Sequence, residues 1–282
     1  MTETVSFIGA CVKIVLDCIF IPLYIRIIYV FVTNKSYCGL QCYQIMIQIG
    51  VVQCPIGISL GGGSICSIIG EDVAGIGSGF TIILAGSLRV EIGLSFVLAV
   101  DRLRVVSKCS ILDKVPKVLT ILIWIYGCTH CIILLSSLAR LFYSQETTTG
   151  KYDYSYPYTF LLQWIASVYT WVILFITFLM YVAIAMSLMR QQRSTGTFVV
   201  NQTWIIVQAT IRFFCELIVT ICYNLLPFII TPTIWFLVSL GCGYIFNFVI
   251  LPTVPYVVLS KDLRNEVFGI VNTEVTALGR SS

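Results

Sequence analysis

The chain has 282 residues, of which 58% are hydrophobic and only 11% charged, with a formal net charge of +4. Soluble globular domains carry about 25% charged residues. This deficit, with repeated apolar runs of about 18 residues or more, excludes a soluble domain and indicates an integral membrane protein. The 12 Cys lie mostly inside apolar runs, where Cys behaves as a small hydrophobe. Cys128 and Cys131 have C-x-x-C spacing, but only His130 lies beside them and further zinc ligands are lacking, so no metal or cofactor is expected. No nucleic-acid motif is present.

The first span is read as 5–32, with Lys13 and Asp17 at i,i+4 and Pro22 inside it. It does not read as a signal peptide. Glu3 stands where a basic region belongs, no small-x-small cleavage site follows, and the run is too long. The second span, 39–60, has Gln44, Gln48 and Gln53 as its main polar content and ends at an acidic, Gly-rich connector over Gly61–Asp72. The third span, 73–106, carries Arg89 and Glu91 and closes on Asp101 and Arg102. At about 100° per residue, Ser87, Glu91, Ser95, Leu98 and Arg102 fall within roughly 80° of one another. A polar stripe of this kind must face protein or trapped water, so this helix is expected to be the hub of a bundle. Arg89 falls about 200° from Glu91, so those two cannot pair.

The fourth span is 118–141. A polar loop follows, with Tyr at every second position from Tyr152 to Tyr158. Spans five, six and seven are read as 160–189, 199–227 and 233–259, and all seven belong to one domain, 1–282. Span six carries Arg212 and Glu216 at i,i+4, with Gln208 and Tyr223 on the same face. Span seven carries Pro252 and Pro255, which membrane helices tolerate when neighbours satisfy the freed carbonyls. Residues 260–270 read as a short amphipathic helix that would lay Leu263 and Val267 on the membrane surface.

Seven spans put the two termini on opposite sides. With the N-terminus outside, the inner loops and tail hold Lys35, Arg102, Arg104, Lys108, Lys114, Lys117, Arg190, Arg193, Lys261, Arg264 and Arg280, and the outer loops hold only Arg140 and Lys151. The positive-inside rule selects this orientation. The sequons at Asn34 and Asn201 then face the cytoplasm and stay unglycosylated, and Cys66 has no outer cysteine partner.

Seven helices, an outer N-terminus and Asp101-Arg102 at the inner end of helix three resemble a G-protein-coupled receptor. A closer resemblance is to the nematode serpentine chemoreceptors, particularly the Srt-like type. It is carried by Phe20-Ile-Pro22, Cys42 to Gly50, Phe96 to Arg102, Ile125-Tyr-Gly127, and Pro252 to Tyr256 followed by Leu259 to Arg264. The resemblance implies a chemosensory receptor in the plasma membrane, with sensory cilia as an expected location. It also implies an extracellular small molecule or peptide as ligand and a heterotrimeric G protein as cytoplasmic partner. In that family the Asp holds the Arg at rest, and the Arg meets the G protein when the inner ends of helices five and six move apart. Asp101, Arg102, Pro252 and Tyr256 are the matching switch positions. The chain departs from rhodopsin-like receptors in several places. Leu251 replaces the Asn before the helix-seven Pro, and the Pro-to-Tyr spacing is one longer. Gln53 stands about where those receptors carry a sodium-binding Asp. The outer disulfide and the helix-six Trp have no counterpart, so their activation details do not carry over.

Gln53, Ser87, Glu91, Ser95, Arg212 and Glu216 form the expected intramembrane polar core. Arg212 and Glu216 either neutralise each other on one helix or bond across to Glu91, Ser95 or Arg102 and lock the resting state. Tyr154, Tyr156, Tyr158, Trp164 and Tyr169 either lid a ligand pocket or form an interfacial aromatic belt. A transporter or ion pathway is the alternative function, because Lys13, Asp17, Arg89, Glu91, Arg212 and Glu216 would suit a charge relay. Against it, no repeated half is evident. Helix seven has no Lys for a Schiff base, and no His-containing or paired-Asp hydrolase site is present, so no enzymatic activity is expected.

Overall fold

The computed structural model describes residues 2–34, 37, 39–72, 75–107, 114–144, 149–195, 200–224, 233–254 and 267. These residues form seven main helices and one hairpin: α1 (Thr2–Thr33), α2 (Gln41–Ile69), α3 (Ile76–Ser107), α4 (Val115–Leu135), β1 (Leu141–Ser144), β2 (Thr149–Tyr152), α5 (Thr159–Thr195), α6 (Val200–Asn224) and α7 (Ile234–Ile245). The helical path of α7 continues through a π-helical turn, Phe246–Ile250, to Val254. Five of the helices, α1 to α5, are long and apolar enough to cross a membrane, and Val238–Val254 is a shorter apolar stretch. Ile121, Ile132, Leu135, Phe160 and Phe175 on α4 and α5 are more than half exposed. Such outward apolar faces suit lipid rather than water, so the chain is a multi-pass membrane protein.

The hub position of α3 follows from its burial and its neighbours. Over their most apolar windows, 56% of residues are buried in α2 and in α3, against 22% in α4 and α5. Helix α3 packs on α2, α4, α5 and α6 and on both strands. The core at its centre is built from Ile49 and Ile56 of α2, Leu94 and Val97 of α3, Ile184 of α5 and Phe213 of α6. Small residues admit this close packing. A Cβ on Gly86 of α3 would strike Cys131 Sγ, and one on Gly127 of α4 would strike Val90.

Helix α2 does not end near residue 60. It runs through Gly61, Gly62 and Gly63 to Ile69. The glycines read as a connector in the sequence, yet they are a packing face. A Cβ on Gly61 would lie 2.9 Å from Asp17 Oδ2, and one on Gly62 would strike the Phe80 ring. The true connector is short. Gly70 ends α2 with φ +79° and Gly75 follows at φ +74°, a region that only glycine enters readily. Asp72 then caps α3. Its carboxylate accepts from the Gly77 and Ser78 backbone N–H at 2.7 and 3.3 Å and from the Ser78 hydroxyl at 2.7 Å.

The loop expected between helices four and five contains an antiparallel hairpin, registered from Leu141↔Tyr152 to Ser144↔Thr149. It docks on the bundle. The Tyr143 N–H donates to Ser78 Oγ at 3.1 Å and the Tyr143 hydroxyl donates to the Gly63 carbonyl at 2.9 Å. We call this the hairpin end. The π turn in α7 sits just before Pro252, which has no N–H to give the ladder. Widening of the helix at that point re-pairs the backbone, with Leu251 N–H donating to the Phe246 carbonyl.

The expected amphipathic helix over 260–270 lies outside the described residues except at Val267. That side chain is buried against Tyr24, Ile27, Val30 and Phe31 of α1 instead of lying on a membrane surface, and its carbonyl accepts from Arg26 Nε at 3.4 Å.

Candidate functional site: a charged cavity above an intramembrane polar network

Midway along the bundle, polar groups from three helices converge on one carboxylate oxygen. Glu91 of α3 is fully buried. Its Oε1 accepts from Gln53 Nε2 of α2 at 3.3 Å and from Ser95 Oγ, one turn along α3, at 3.3 Å. Arg212 Nη2 of α6 forms an ion pair with the same oxygen. The Tyr24 hydroxyl of α1 extends the chain by donating to Gln53 Oε1 at 2.6 Å. The network thus ties α1, α2, α3 and α6 together. Ser87 is half-buried on α3 and makes none of these contacts. Of the two pairings left open by the sequence, the cross-bundle one is formed. Arg212 reaches Glu91, while Oε1 of Glu216 is buried with no hydrogen-bond partner among the described residues.

Toward the hairpin end lies a cavity of about 200 Å³. Helices α1, α2, α3, α5, α6 and α7 and both strands contribute to its wall. Three acidic or basic side chains of the described residues line it: Lys13 from α1, Arg89 from α3 and Glu216 from α6. Lys13 is 8% exposed and Glu216 2%. Arg89 Nη1 donates to Thr170 Oγ1 of α5 at 2.9 Å, and its Nε is buried without a hydrogen-bond partner among the described residues. Tyr143, Tyr152, Tyr223, Tyr244 and Trp171 supply the aromatic part of the lining. Burial pushes the Tyr152 phenol above its ordinary range, and the Arg89 guanidinium beside it pulls the other way. Burial likewise pushes Tyr143 up to about 12, opposed by a hydrogen bond from Ser67, so both phenols are neutral at ordinary pH.

The aromatic residues singled out from the sequence lie around this cavity and not on its wall. Tyr154, Tyr158 and Trp164 are more than half exposed. The Tyr154 hydroxyl donates at 2.7 Å to Oε1 of Gln163, which does line the cavity. Tyr156 accepts from Arg140 Nη1 at 3.3 Å, with the guanidinium 5.9 Å from its ring centroid. Tyr169 stacks on Tyr126 at 4.5 Å and donates to the Arg89 backbone carbonyl at 3.2 Å, so it braces the helix that carries Arg89. The charges Lys13 and Arg89 were visible as intramembrane charges. Tyr143, Tyr244 and Trp171 carried no signal that set them apart from other membrane aromatics.

At the opposite end of α3, Asp101 is 1% exposed and stands between two arginines. Arg102 Nη2 lies 3.5 Å from Oδ2, and Arg104 Nη2 lies 2.9 Å from Oδ1. The sequence pointed to the first pair and not to the second. Pro252 is buried beyond the π turn. Tyr256 lies outside the described residues. On α1, Lys13 and Asp17 form no ion pair, and both Asp17 carboxylate oxygens are buried without a partner among the described residues.

The chain folds as a seven-helix bundle of the rhodopsin type. Its structure is similar to the crystal structure of squid rhodopsin, with a TM-score of 0.74 over 98% of this chain and 87% of that one, at 13% sequence identity. No protein-family model matches the sequence, and no curated protein matches it.

Proposed function

We propose that the chain is a plasma-membrane chemosensory receptor with the hairpin end and the N-terminus outside. It binds an extracellular small molecule in the cavity, shifts between two helix packings, and activates a heterotrimeric G protein at the basic opposite end. It performs no chemistry of its own. The observation that carries this reading is the layout of α3. One helix lines the cavity through Arg89, anchors four helices through Glu91, and ends in the Asp101, Arg102 and Arg104 cluster. A ligand that moves α3 or α6 against the other helices must disturb the Glu91–Arg212 pair. That gives the cavity a physical route to the far end. The resemblance to nematode serpentine chemoreceptors supports chemosensation, and the basic inner loops support the orientation.

The test is G-protein activation in cells, wild type against Arg102→Ala at matched surface expression, over a panel of volatile and water-soluble odorants. A response lost in the variant supports the receptor reading and places Arg102 at the coupling face. The alternative is a transporter or ion pathway, favoured by the unpaired charges in the cavity. A ligand- or voltage-dependent current that survives Arg102→Ala, with no G-protein response, selects it.

A further inference from the structure

The cavity is lined by three acidic or basic side chains, Lys13, Arg89 and Glu216, with no ion pair among the described residues. The hydrogen-bond partners of Arg89 among the described residues are neutral, the hydroxyl of Thr170 and the phenol of Tyr152. Glu216 Oε1 and Arg89 Nε are buried with no hydrogen-bond partner among those residues. Arg212, one turn from Glu216 on α6, is engaged by Glu91. Nearby, Asp17 faces Gly61 of α2, while the Lys13 ammonium lies 3.3 Å from where a Cβ on Gly241 of α7 would stand. Buried ions without partners are strongly disfavoured, and intramembrane ones face one another, water or a ligand. Here they come from three different helices and face one space.

We infer that the cavity takes a compact zwitterion of amino-acid size, its carboxylate toward Arg89 and Lys13 and its ammonium toward Glu216. The sign pattern sets the class: two cations and one carboxylate receive an anion and an amine at once, whereas a neutral odorant would leave all three unpaired. A planar guanidinium is suited to a carboxylate, which it can hold through two parallel hydrogen bonds. The volume, about 200 Å³, lies below the usual range of about 300–1,000 Å³ for drug-sized ligands, which limits the occupant to a small molecule. The apolar and aromatic lining, including Leu88, Trp171 and Tyr244, leaves room for an apolar side chain between the two charged groups. This inference rests on the receptor reading for its biological meaning, but not for its test.

The test is ligand-dependent thermal stabilisation of the purified full chain in lipid nanodiscs. The probes are the standard L-amino acids, each beside its decarboxylated amine and its deaminated acid, for example L-leucine, 3-methylbutylamine and 4-methylpentanoic acid. The zwitterions stabilise the protein, and each singly charged counterpart binds at least about tenfold more weakly, since each loses a charge-assisted hydrogen bond. Arg89→Gln weakens the zwitterion and the acid but leaves the amine. Glu216→Gln weakens the zwitterion and the amine but leaves the acid. If either variant fails to fold, Arg89→Lys and Glu216→Asp report the split in the same direction at smaller amplitude, since each keeps its charge and loses only the hydrogen-bond geometry. Stabilisation by neutral odorants alone, or by no zwitterion at saturating concentration, overturns the inference. Zwitterion binding without G-protein activation upholds the site and removes the receptor reading. A G-protein response to neutral odorants alone does the reverse.

Discussion

Glu91 of α3 and Glu216 of α6 are both carboxylates of the bundle interior, and their burial is nearly the same, with 0% and 2% exposed. Their surroundings differ. Glu91 draws Gln53, Ser95 and Arg212 onto a single oxygen and through Gln53 reaches Tyr24. Each keeps one buried oxygen without a hydrogen-bond partner among the described residues, Oε2 of Glu91 and Oε1 of Glu216, but Glu91 is ion-paired to Arg212 whereas Glu216 lines the cavity. The first arrangement is what a folded interior demands of a charge, since a buried ion must be paired and hydrogen-bonded. The second leaves a carboxylate on a cavity wall with no ion pair among the described residues. Burial and hydropathy alone do not separate a structural charge from a functional one. The partner list does.

The largest expected effect breaks the first half of that comparison. Glu91→Ala strands the Arg212 guanidinium and leaves Gln53 and Ser95 without their acceptor, so it destabilises the protein by about 3–5 kcal/mol, the range for removing one member of a buried pair. Glu216→Ala removes a carboxylate that forms no ion pair among the described residues, and its effect on stability is much the smaller of the two. Thermal unfolding of the two purified variants checks this. Equal losses would mean that the two carboxylates play the same part. The next effect concerns the lock. Because Arg212 bonds to Glu91, Arg212→Gln raises ligand-free G-protein activation by about fivefold or more, the lower end of usual coupling strengths, and Glu216→Gln raises it less. Basal activity of Arg212→Gln at the wild-type level, with equal surface expression, would show that the pair holds the fold and not the resting state.

Much of this was legible in the sequence, for physical reasons. Apolar runs reveal spans because lipid forbids unpaired backbone, and the polar stripe through Ser87, Glu91 and Ser95 marked α3 as central because that face cannot meet lipid. The reach of Arg212 to Glu91 was one of two open pairings, and choosing between them required the relative rotation of α3 and α6, which no single helix encodes. The run of α2 through Gly61, Gly62 and Gly63 was hidden because glycine signals a turn locally, while its use here is to admit Asp17 and Phe80 from neighbouring helices. The alternating tyrosines misled in a similar way. Only Tyr152 lies on a strand. Tyr154 to Tyr158 follow a turn held by Asp153, whose carboxylate accepts from Ser155 N–H and Oγ at 3.1 and 2.7 Å, and this turn directs them away from the cavity. The aromatic lining comes from separate elements, where spacing along the chain carries no information.

Smaller effects test how far the Glu91 network and the hairpin dock extend. Tyr24→Phe removes the donor to Gln53 and leaves the ring in place among Ile27 and Phe31, so the loss is about 0.5–1.5 kcal/mol by thermal unfolding. A null result would place the edge of the network at Gln53. The smallest effect reads the hairpin through pH. The Tyr143 phenol, docked on Gly63, is raised from 10.0 to about 12 by burial. The folded state therefore holds this proton more tightly than the unfolded one, so the hydroxyl's contribution is complete below 10.0 and is lost as pH rises toward 12. Wild type should lose stability over that alkaline window more steeply than Tyr143→Phe, which has no proton to release, and the two melting curves should draw together at the top of it. Other groups titrate there as well, but they titrate in both proteins and cancel in the difference. Parallel pH profiles would show that the phenol is solvated and that the hairpin is held by its backbone contacts alone.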